Sequence, residues 1–341
     1  MLDSLYDVAL AMGAPGRGIL AADESTGTIK KRFDSIQVNS TEDSRRDYRE
    51  MLFRTPEMKD HISGVILFDE TLRQKAADGT PLVDLITAAG SIPGIKVDKG
   101  AHALAGAEGE TVTEGLDGLR ARLEEYYSLG ARFAKWRAVI NIDDHGTPSQ
   151  YAIKANTHAL ARYAALCQAC NIVPIVEPEI LMDGGHSIER CEEVTERVLK
   201  SLFADLNMQR VVLEGTVLKP NMVVSGMLNE RQADAEEVAE RTVRTFRRAV
   251  PAAVPSIVFL SGGQSDIDAT AHLNAMNAAY DMPWQLSFSY GRALQAAPLK
   301  AWGGKAENVD AAKAAFGHRA RMNGLATLGE WNPDLEAKAA E

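Results

Sequence analysis

Three lysines in this chain sit where a lysine is costly. Lys96 lies between Ile95 and Val97, Lys135 lies between Ala134 and Trp136, and Lys219 follows Val217–Leu218 and precedes Pro220. A charged group flanked by apolar neighbours in a strand faces either a polar interior or packed helices, and the second choice is expensive unless the charge is paired. Carboxylates are available as partners in Asp23, Glu177 and Glu179, and Arg137 stands two residues beyond Lys135. Side chains alternate along an extended strand, so Lys135 with Arg137, and Glu177 with Glu179, each share one face. One shared cluster is the less costly solution, and its chemistry is specific. A lysine amine attacks a carbonyl only when neutral, its ordinary pKa being about 10.4. Desolvation and neighbouring cations favour the neutral form, and Lys219 with Lys135 across from it would have both. Attack on a ketone gives a carbinolamine, which loses water with help from a proton donor that later serves as a base, a task suited to Glu177. The resulting iminium is an electron sink for the carbanion left when a carbon–carbon bond breaks.

Other residues suit phosphate. Ser261–Gly262–Gly263–Gln264 and Tyr290–Gly291–Arg292 are turns in which glycine lets backbone N–H groups approach an anion, and Arg292 can hold it through two donors. Most Gly-Gly pairs are merely tight turns, so the weight rests on their pairing with Arg292. Ser25, Thr28 and Arg32 form a candidate second anion site. Two such sites on either side of an amine would fit a bisphosphorylated sugar.

Metal chemistry is not indicated. The seven histidines (His61, His102, His145, His158, His186, His272 and His318) include no pair at helical metal-ligand spacing. His186, in Asp183–Gly184–Gly185–His186, reads as a loop or cap residue. Cys167 and Cys170 form a C-x-x-C, but late in a helical run rather than ahead of one. With Cys191 they make an odd number, and buried unpaired thiols are the simpler reading.

Elements that could bring these groups together are written in a recurring rhythm. Apolar runs occur at Gly18–Asp23, Gly64–Glu70, Gly94–Asp98, Phe133–Val139, Val173–Glu179, Val211–Lys219, Ser256–Ser261 and Gln285–Tyr290. Each is followed by a helical stretch at the spacing of a strand–helix unit. Helix punctuation fills the gaps. Ser40 with Asp43 reads as a capping box, Thr147–Pro148 as an N-cap with proline in the first turn, Asn171 and Gly130 as helix ends, and Ser265 with Asp268 as a capped start. Alternation of this kind predicts a parallel α/β sheet, and eight strands close into a (β/α)8 TIM barrel, with a doubly wound open sheet as the alternative. Every run carries polar residues at or just beyond its C-terminal end, including Asp69/Glu70 and Lys96/Asp98. In a barrel those ends converge on one mouth.

No linker or low-complexity tract interrupts residues 1–341, so we expect one domain: a barrel core over about 15–305, a helical N-terminal extension, and a C-terminal helix and tail over about 306–341. The 47 acidic against 37 basic residues leave a net charge of −10, which argues against nucleic-acid or anionic-membrane partners. No apolar run is long enough for a membrane helix, and Met1–Leu2–Asp3 is acidic where a secretion signal is basic. With its unpaired thiols, the chain is expected to be cytoplasmic.

These residues stand in motifs that resemble the class I fructose-bisphosphate aldolases. The motifs are Ala21–Ala22–Asp23–Glu24–Ser25–Thr26–Gly27, Gly94–Ile95–Lys96–Val97–Asp98, Ala134–Lys135–Trp136–Arg137, Val176–Glu177–Pro178–Glu179, Leu218–Lys219–Pro220–Asn221, Leu260–Ser261–Gly262–Gly263–Gln264 and Ser289–Tyr290–Gly291–Arg292. The likeness runs in order from about residue 15 to about 305. It implies a metal-free lysine Schiff-base enzyme without a cofactor that cleaves fructose 1,6-bisphosphate. In that scheme Lys219 forms the Schiff base, Glu177 handles the dehydration protons and Glu179 orients the lysine network. Asp23 takes the hydroxyl proton as the bond breaks, and Lys135 supplies charge beside it. Lys96 and Arg137 hold substrate. Ser261, Gly262, Gly291 and Arg292 take the phosphate of the dihydroxyacetone half, and Ser25, Thr28 and Arg32 take the distal phosphate. Thr28 stands where many relatives have serine. Animal relatives end in a tyrosine, whereas this chain has none after Tyr290. The resemblance also implies a homo-oligomer, commonly a tetramer. The tail from about Trp331 is expected to be mobile or to form a terminal helix.

Overall fold

Eight parallel strands close on themselves: β1 (Gly18–Ala22), β2 (Ile62–Leu67), β3 (Ile92–Lys96), β4 (Phe133–Ile140), β5 (Val173–Ile180), β6 (Val217–Leu218), β7 (Ser256–Phe259) and β8 (Gln285–Tyr290). Each pairs with its neighbours in chain order, and β8 returns to β1. The computed structural model describes residues 4–143 and 146–337. Met1–Asp3, Asp144, His145 and the final residues Lys338–Glu341 lie outside the described residues.

All eight anticipated runs contain a strand, because β-branched and aromatic residues buried on both faces favour a barrel stave. The sixth is much shorter than its apolar run. Leu213–Gly215 winds into a 3-10 turn, and the Gln168 amide satisfies the carbonyls of Val212 and Gly215, leaving only Val217–Leu218 in the ladder. The Lys219 N–H still donates to Val176 O at 2.9 Å, so the lysine continues the strand by one residue.

Barrel closure depends on what fills the interior. Phe133, Ile175, Val217 and Val258 pack inside with Val8, Ala9 and Met12 of the N-terminal helix Leu5–Met12. That helix stoppers the end where the strands begin: Ser256 donates to Ala9 O at 3.2 Å and Ser63 to Met12 O at 2.6 Å. Gly94 makes room for the Phe133 ring, since a β-carbon there would lie 2.2 Å from it. With one end of the barrel apolar and plugged, the charged side chains gather at the other. Outside, the helices bury a second apolar layer against the staves.

Helix starts deviate by a residue or two. The first anticipated capping box is built by Thr41 with Ser44, not Ser40 with Asp43; the Thr41 hydroxyl accepts from Ser44 N–H and Ser44 Oγ accepts from Thr41 N–H. Thr147–Pro148 is a cis peptide ahead of the helix, whose cap is Ser149 over Gln150–Ala169. Ser265 caps Asp266–Ala279 as expected. As far as residue 337 the tail is docked: Glu336, in the short helix Asp334–Ala337, accepts from Arg319 at 2.5 Å and from the Trp331 indole at 2.9 Å.

Candidate active site

At the C-terminal end of the barrel lies a cavity of about 620 Å³. Its lining includes every residue given a catalytic or substrate-binding role above: Asp23, Lys96, Lys135, Arg137, Glu177, Glu179 and Lys219 from the strands, Ser261, Gly262, Gly291 and Arg292 from two turns, and Ser25, Thr28 and Arg32 from the helix Thr26–Asp34 and its cap. Strand register does the grouping. Lys96 sits beside Lys135 across β3 and β4, and Arg137 sits beside Glu177 across β4 and β5, so these pairs share a face.

Lys219, its side chain 5% exposed, lies 3.2 Å from Glu177 Oε1, and Lys135 lies 3.3 Å from Glu177 Oε2 and 2.7 Å from Asp23. Lys219 is thus desolvated, as expected, and Lys135 stands near it through a shared partner: the Lys219 amine pairs with one oxygen of Glu177 and Lys135 with the other. Burial would push Glu177 up, yet Lys135, Lys219 and Arg137 outweigh it and hold the carboxyl below its ordinary range. Asp23 is held low in the same way, burial being overcome by Lys135 and Lys219. Burial would lower Lys135, but Asp23 and Glu177 raise it, so it stays a fixed cation. Arg137 pairs with Glu179. Lys96 reaches Asp98 at 3.5 Å, and Asp98 in turn accepts from the Arg137 N–H.

The two candidate anion sites are built differently. Gly262 holds φ +56°, a left-handed conformation glycine adopts at little cost. Arg292 donates to the Gly262 carbonyl, binding the two turns together, and the helix Arg292–Trp302 begins directly after Gly291. Across the mouth, the Ser25 hydroxyl caps the helix Thr26–Asp34 and lies 3.1 Å from the Thr28 hydroxyl, so both hydroxyls gather at a helix N-terminus. Four cations from the barrel (Lys96, Lys135, Arg137, Lys219) and three from flanking helices (Lys31, Arg32, Arg292) face Asp23, Glu24, Glu177 and Glu179. Seven positive groups against four negative ones make a cationic pocket in an acidic protein.

One strand end does not contribute. The pattern places Asp69 and Glu70 with the mouth residues, but β2 ends at Leu67 and both lie in the first turn of the short helix Asp69–Arg73. Glu70 pairs with Arg45 at 2.5 Å, and Asp69 accepts from Tyr126 at 2.9 Å, away from the cavity. Conversely, the lining includes Glu24, Lys31, Ser35 and Ser289, which were not singled out. Ser289 alternates with Ser287 along β8, and that period-two signal was available; Lys31 and Ser35 carry no pattern that separates them from a solvated helix face. Among the described residues no group of three or more His, Cys, Asp or Glu is placed to hold a metal ion. His186 directly precedes the helix cap Ser187. The three cysteines are free and buried, and burial pushes the Cys191 thiol up to about 11. No helix among the described residues is long and apolar enough to cross a membrane.

Barrel and mouth together define the class: a (β/α)8-barrel enzyme with a lysine–carboxylate centre inside a cationic pocket. The chain belongs to the class I fructose-bisphosphate aldolase family, whose model (Fructose-bisphosphate aldolase class-I) matches residues 4–341. It is 60% identical over 97% of its length to a probable fructose-bisphosphate aldolase class 1 of Xanthomonas axonopodis pv. citri (strain 306), covering 99% of that protein. It is 57% identical over 98% of its length to the cytosolic fructose-bisphosphate aldolase 6 of Arabidopsis thaliana, covering 93% of it. A solved fructose-bisphosphate aldolase from Plasmodium falciparum superimposes with a TM-score of 0.94 at 50% identity, covering 96% of this chain and 95% of that one.

Proposed function

We propose that this chain reversibly cleaves fructose 1,6-bisphosphate to dihydroxyacetone phosphate and glyceraldehyde 3-phosphate through an iminium on Lys219, without a metal or cofactor. The observation that carries this reading is the shared carboxylate: Glu177 touches the Lys219 amine with one oxygen and the Lys135 ammonium with the other. An ionised Glu177 can accept a proton from Lys219, freeing its lone pair to attack the ketone carbon. The proton then returns to the carbinolamine hydroxyl, which leaves as water and completes the iminium. Asp23, held ionised, removes the proton from the hydroxyl on the far side of the scissile bond. The carbonyl of the leaving aldehyde forms as the bonding pair flows into the iminium to give an enamine. Protonation of that enamine and addition of water release the ketone and restore Lys219. Lys135 keeps a positive charge beside both carboxylates throughout, and Glu179 fixes Arg137.

Substrate would lie across the mouth, its ketone-side phosphate at Ser261, Gly262, Gly291 and Arg292 and its distal phosphate at Ser25, Thr28 and Arg32, with Lys96 and Arg137 gripping the hydroxyls between. The excess of cations in the cavity supports a doubly phosphorylated ligand over a neutral sugar. We read residues 1–341 as one barrel domain that works in the cytoplasm, in line with the cytosolic plant relative, and forms a homo-oligomer. A coupled assay of fructose 1,6-bisphosphate cleavage tests the proposal. Activity in the wild type that survives excess chelator and disappears in Lys219→Met supports it; absence of cleavage in the wild type removes it.

A further inference from the structure

Behind Arg32 lies a buried polar assembly that touches no part of the proposed chemistry directly. Gln295, on the helix Arg292–Trp302, is 1% exposed, and its side-chain amide donates to Ala21 O and to Glu24 Oε1, both at 2.7 Å. Two acceptors at that distance require the NH2 end, so the amide's orientation is set by its neighbours. Glu24 Oε1 also accepts from Arg32 at 2.5 Å. From the other side Arg49, likewise 1% exposed, donates to the Glu24 carbonyl at 2.9 Å and stands 3.8 Å from Glu24 Oε2. A partly exposed arginine on a helix has many rotamers; here one carboxylate selects among them, and Gln295 and Arg49 hold that carboxylate.

We infer that Gln295 is a positioning residue for the distal phosphate: it fixes Glu24, and through Glu24 it aims the Arg32 guanidinium into the cavity. The inference rests on the proposed reading of Arg32 as a ligand of that phosphate. Gln295 belongs to the helix that starts at the opposite phosphate turn, Gly291–Arg292. It therefore spaces the two anion sites relative to each other, making it a determinant of preference for a bisphosphate over a monophosphate. Its amide is neutral, so it holds Glu24 without neutralising the charge that Arg32 sees. Arg49 is too far from Arg32's carboxylate oxygen partner to take over that task, since its approach is to the other oxygen.

The test compares fructose 1,6-bisphosphate with fructose 1-phosphate, which lacks the distal phosphate, in wild type, Gln295→Met, Arg32→Met and the double variant. For Gln295→Met the KM for the bisphosphate should rise about tenfold with kcat nearly unchanged, the scale of one hydrogen bond to a charged group. The parameters for fructose 1-phosphate should stay within about twofold, and the change should vanish in the Arg32→Met background, where there is no guanidinium left to aim. A parallel loss on both substrates, an unchanged KM for the bisphosphate, or an equal effect in the Arg32→Met background would overturn the inference. Should Gln295→Met fail to fold, Gln295→Asn, one methylene short of Glu24, gives the same reading. Wild-type protein that cleaves neither substrate would instead undo the proposed function and is recognised as such before any variant is made.

Discussion

Lys135 and Lys219 are joined through one carboxylate: Glu177 Oε2 lies 3.3 Å from the first amine and Glu177 Oε1 lies 3.2 Å from the second. All three side chains are at most 5% exposed, and Asp23 completes the row 2.7 Å beyond Lys135. Buried charges in such a row are interdependent. Removing a member strands its neighbours, while the intact row lets a proton move between an amine and a carboxylate already in contact.

Glu177→Gln keeps the shape of the side chain and removes its basicity. Dehydration of the carbinolamine should slow, so kcat for cleavage should fall by about 10²–10⁴, the usual worth of a positioned acid–base group. Steady-state kinetics on fructose 1,6-bisphosphate give the answer, and a variant with wild-type kcat would show that another group moves these protons.

Lys135→Met leaves Asp23 and Glu177 without a shared cation, and breaking a buried pair in this way costs about 3–5 kcal/mol. The pH dependence follows from the sign of each shift. Asp23 and Glu177 are held low, so they contribute stability above the unfolded carboxylate values of about 4, and that contribution is lost as pH falls through their folded values. Lys135 is held high, so its contribution is full below about 10.4 and is lost only as pH climbs through its folded value. Thermal melts across pH should show the wild type flat through neutrality. In the variant the acid-side fall should begin at higher pH, because the unpaired carboxyls protonate sooner. Superimposable acid limbs would contradict the pairing.

If Arg292 grips the ketone-side phosphate as proposed, Arg292→Ala should raise the KM for fructose 1,6-bisphosphate and for fructose 1-phosphate alike, by about tenfold or more, because that phosphate is common to both and loses a charged donor. This pattern differs from the substrate-selective one expected at Gln295. A selective rise for the bisphosphate alone would place Arg292 at the wrong phosphate.

Glu336→Ala removes the acceptor that holds Arg319, itself 4% exposed, and the Trp331 indole. Stability should fall by about 1–3 kcal/mol for the unpaired buried donor, and tryptophan emission should shift to the red as Trp331 gains water. Unchanged melting and emission would show that the tail docks through its apolar contacts alone.

How far these features were legible in the sequence depends on what kind of signal each one leaves. Strands with both faces buried announce themselves as apolar runs, and a lysine inside such a run, as at Lys135, stands out because nothing else there is charged. Alternation placed Arg137 with Lys135 and Glu179 with Glu177. It says nothing of Glu24, because β1 has ended at Ala22 and the period of two no longer applies. Arg49 comes from a helix crowded with other polar residues and Gln295 from one that also carries Arg292 and Lys300, and only tertiary packing makes this glutamine and this arginine structural. The second strand misled for a related reason: Asp69 and Glu70 follow an apolar run as the mouth residues do, but they start a helix whose neighbours include Arg45 and Tyr126. Helix caps were misplaced by one or two positions where several hydroxyls adjoin, as at Ser40, Thr41 and Ser44, since each can accept the same N–H.

The most direct measurement is covalent capture. The protein is incubated with dihydroxyacetone phosphate and borohydride, and the intact chain and its peptides are weighed. One reduced adduct, located on the peptide bearing Lys219 and absent without the ketone, is the predicted result. An unmodified chain, or an adduct confined to Lys96 or Lys135, would contradict it.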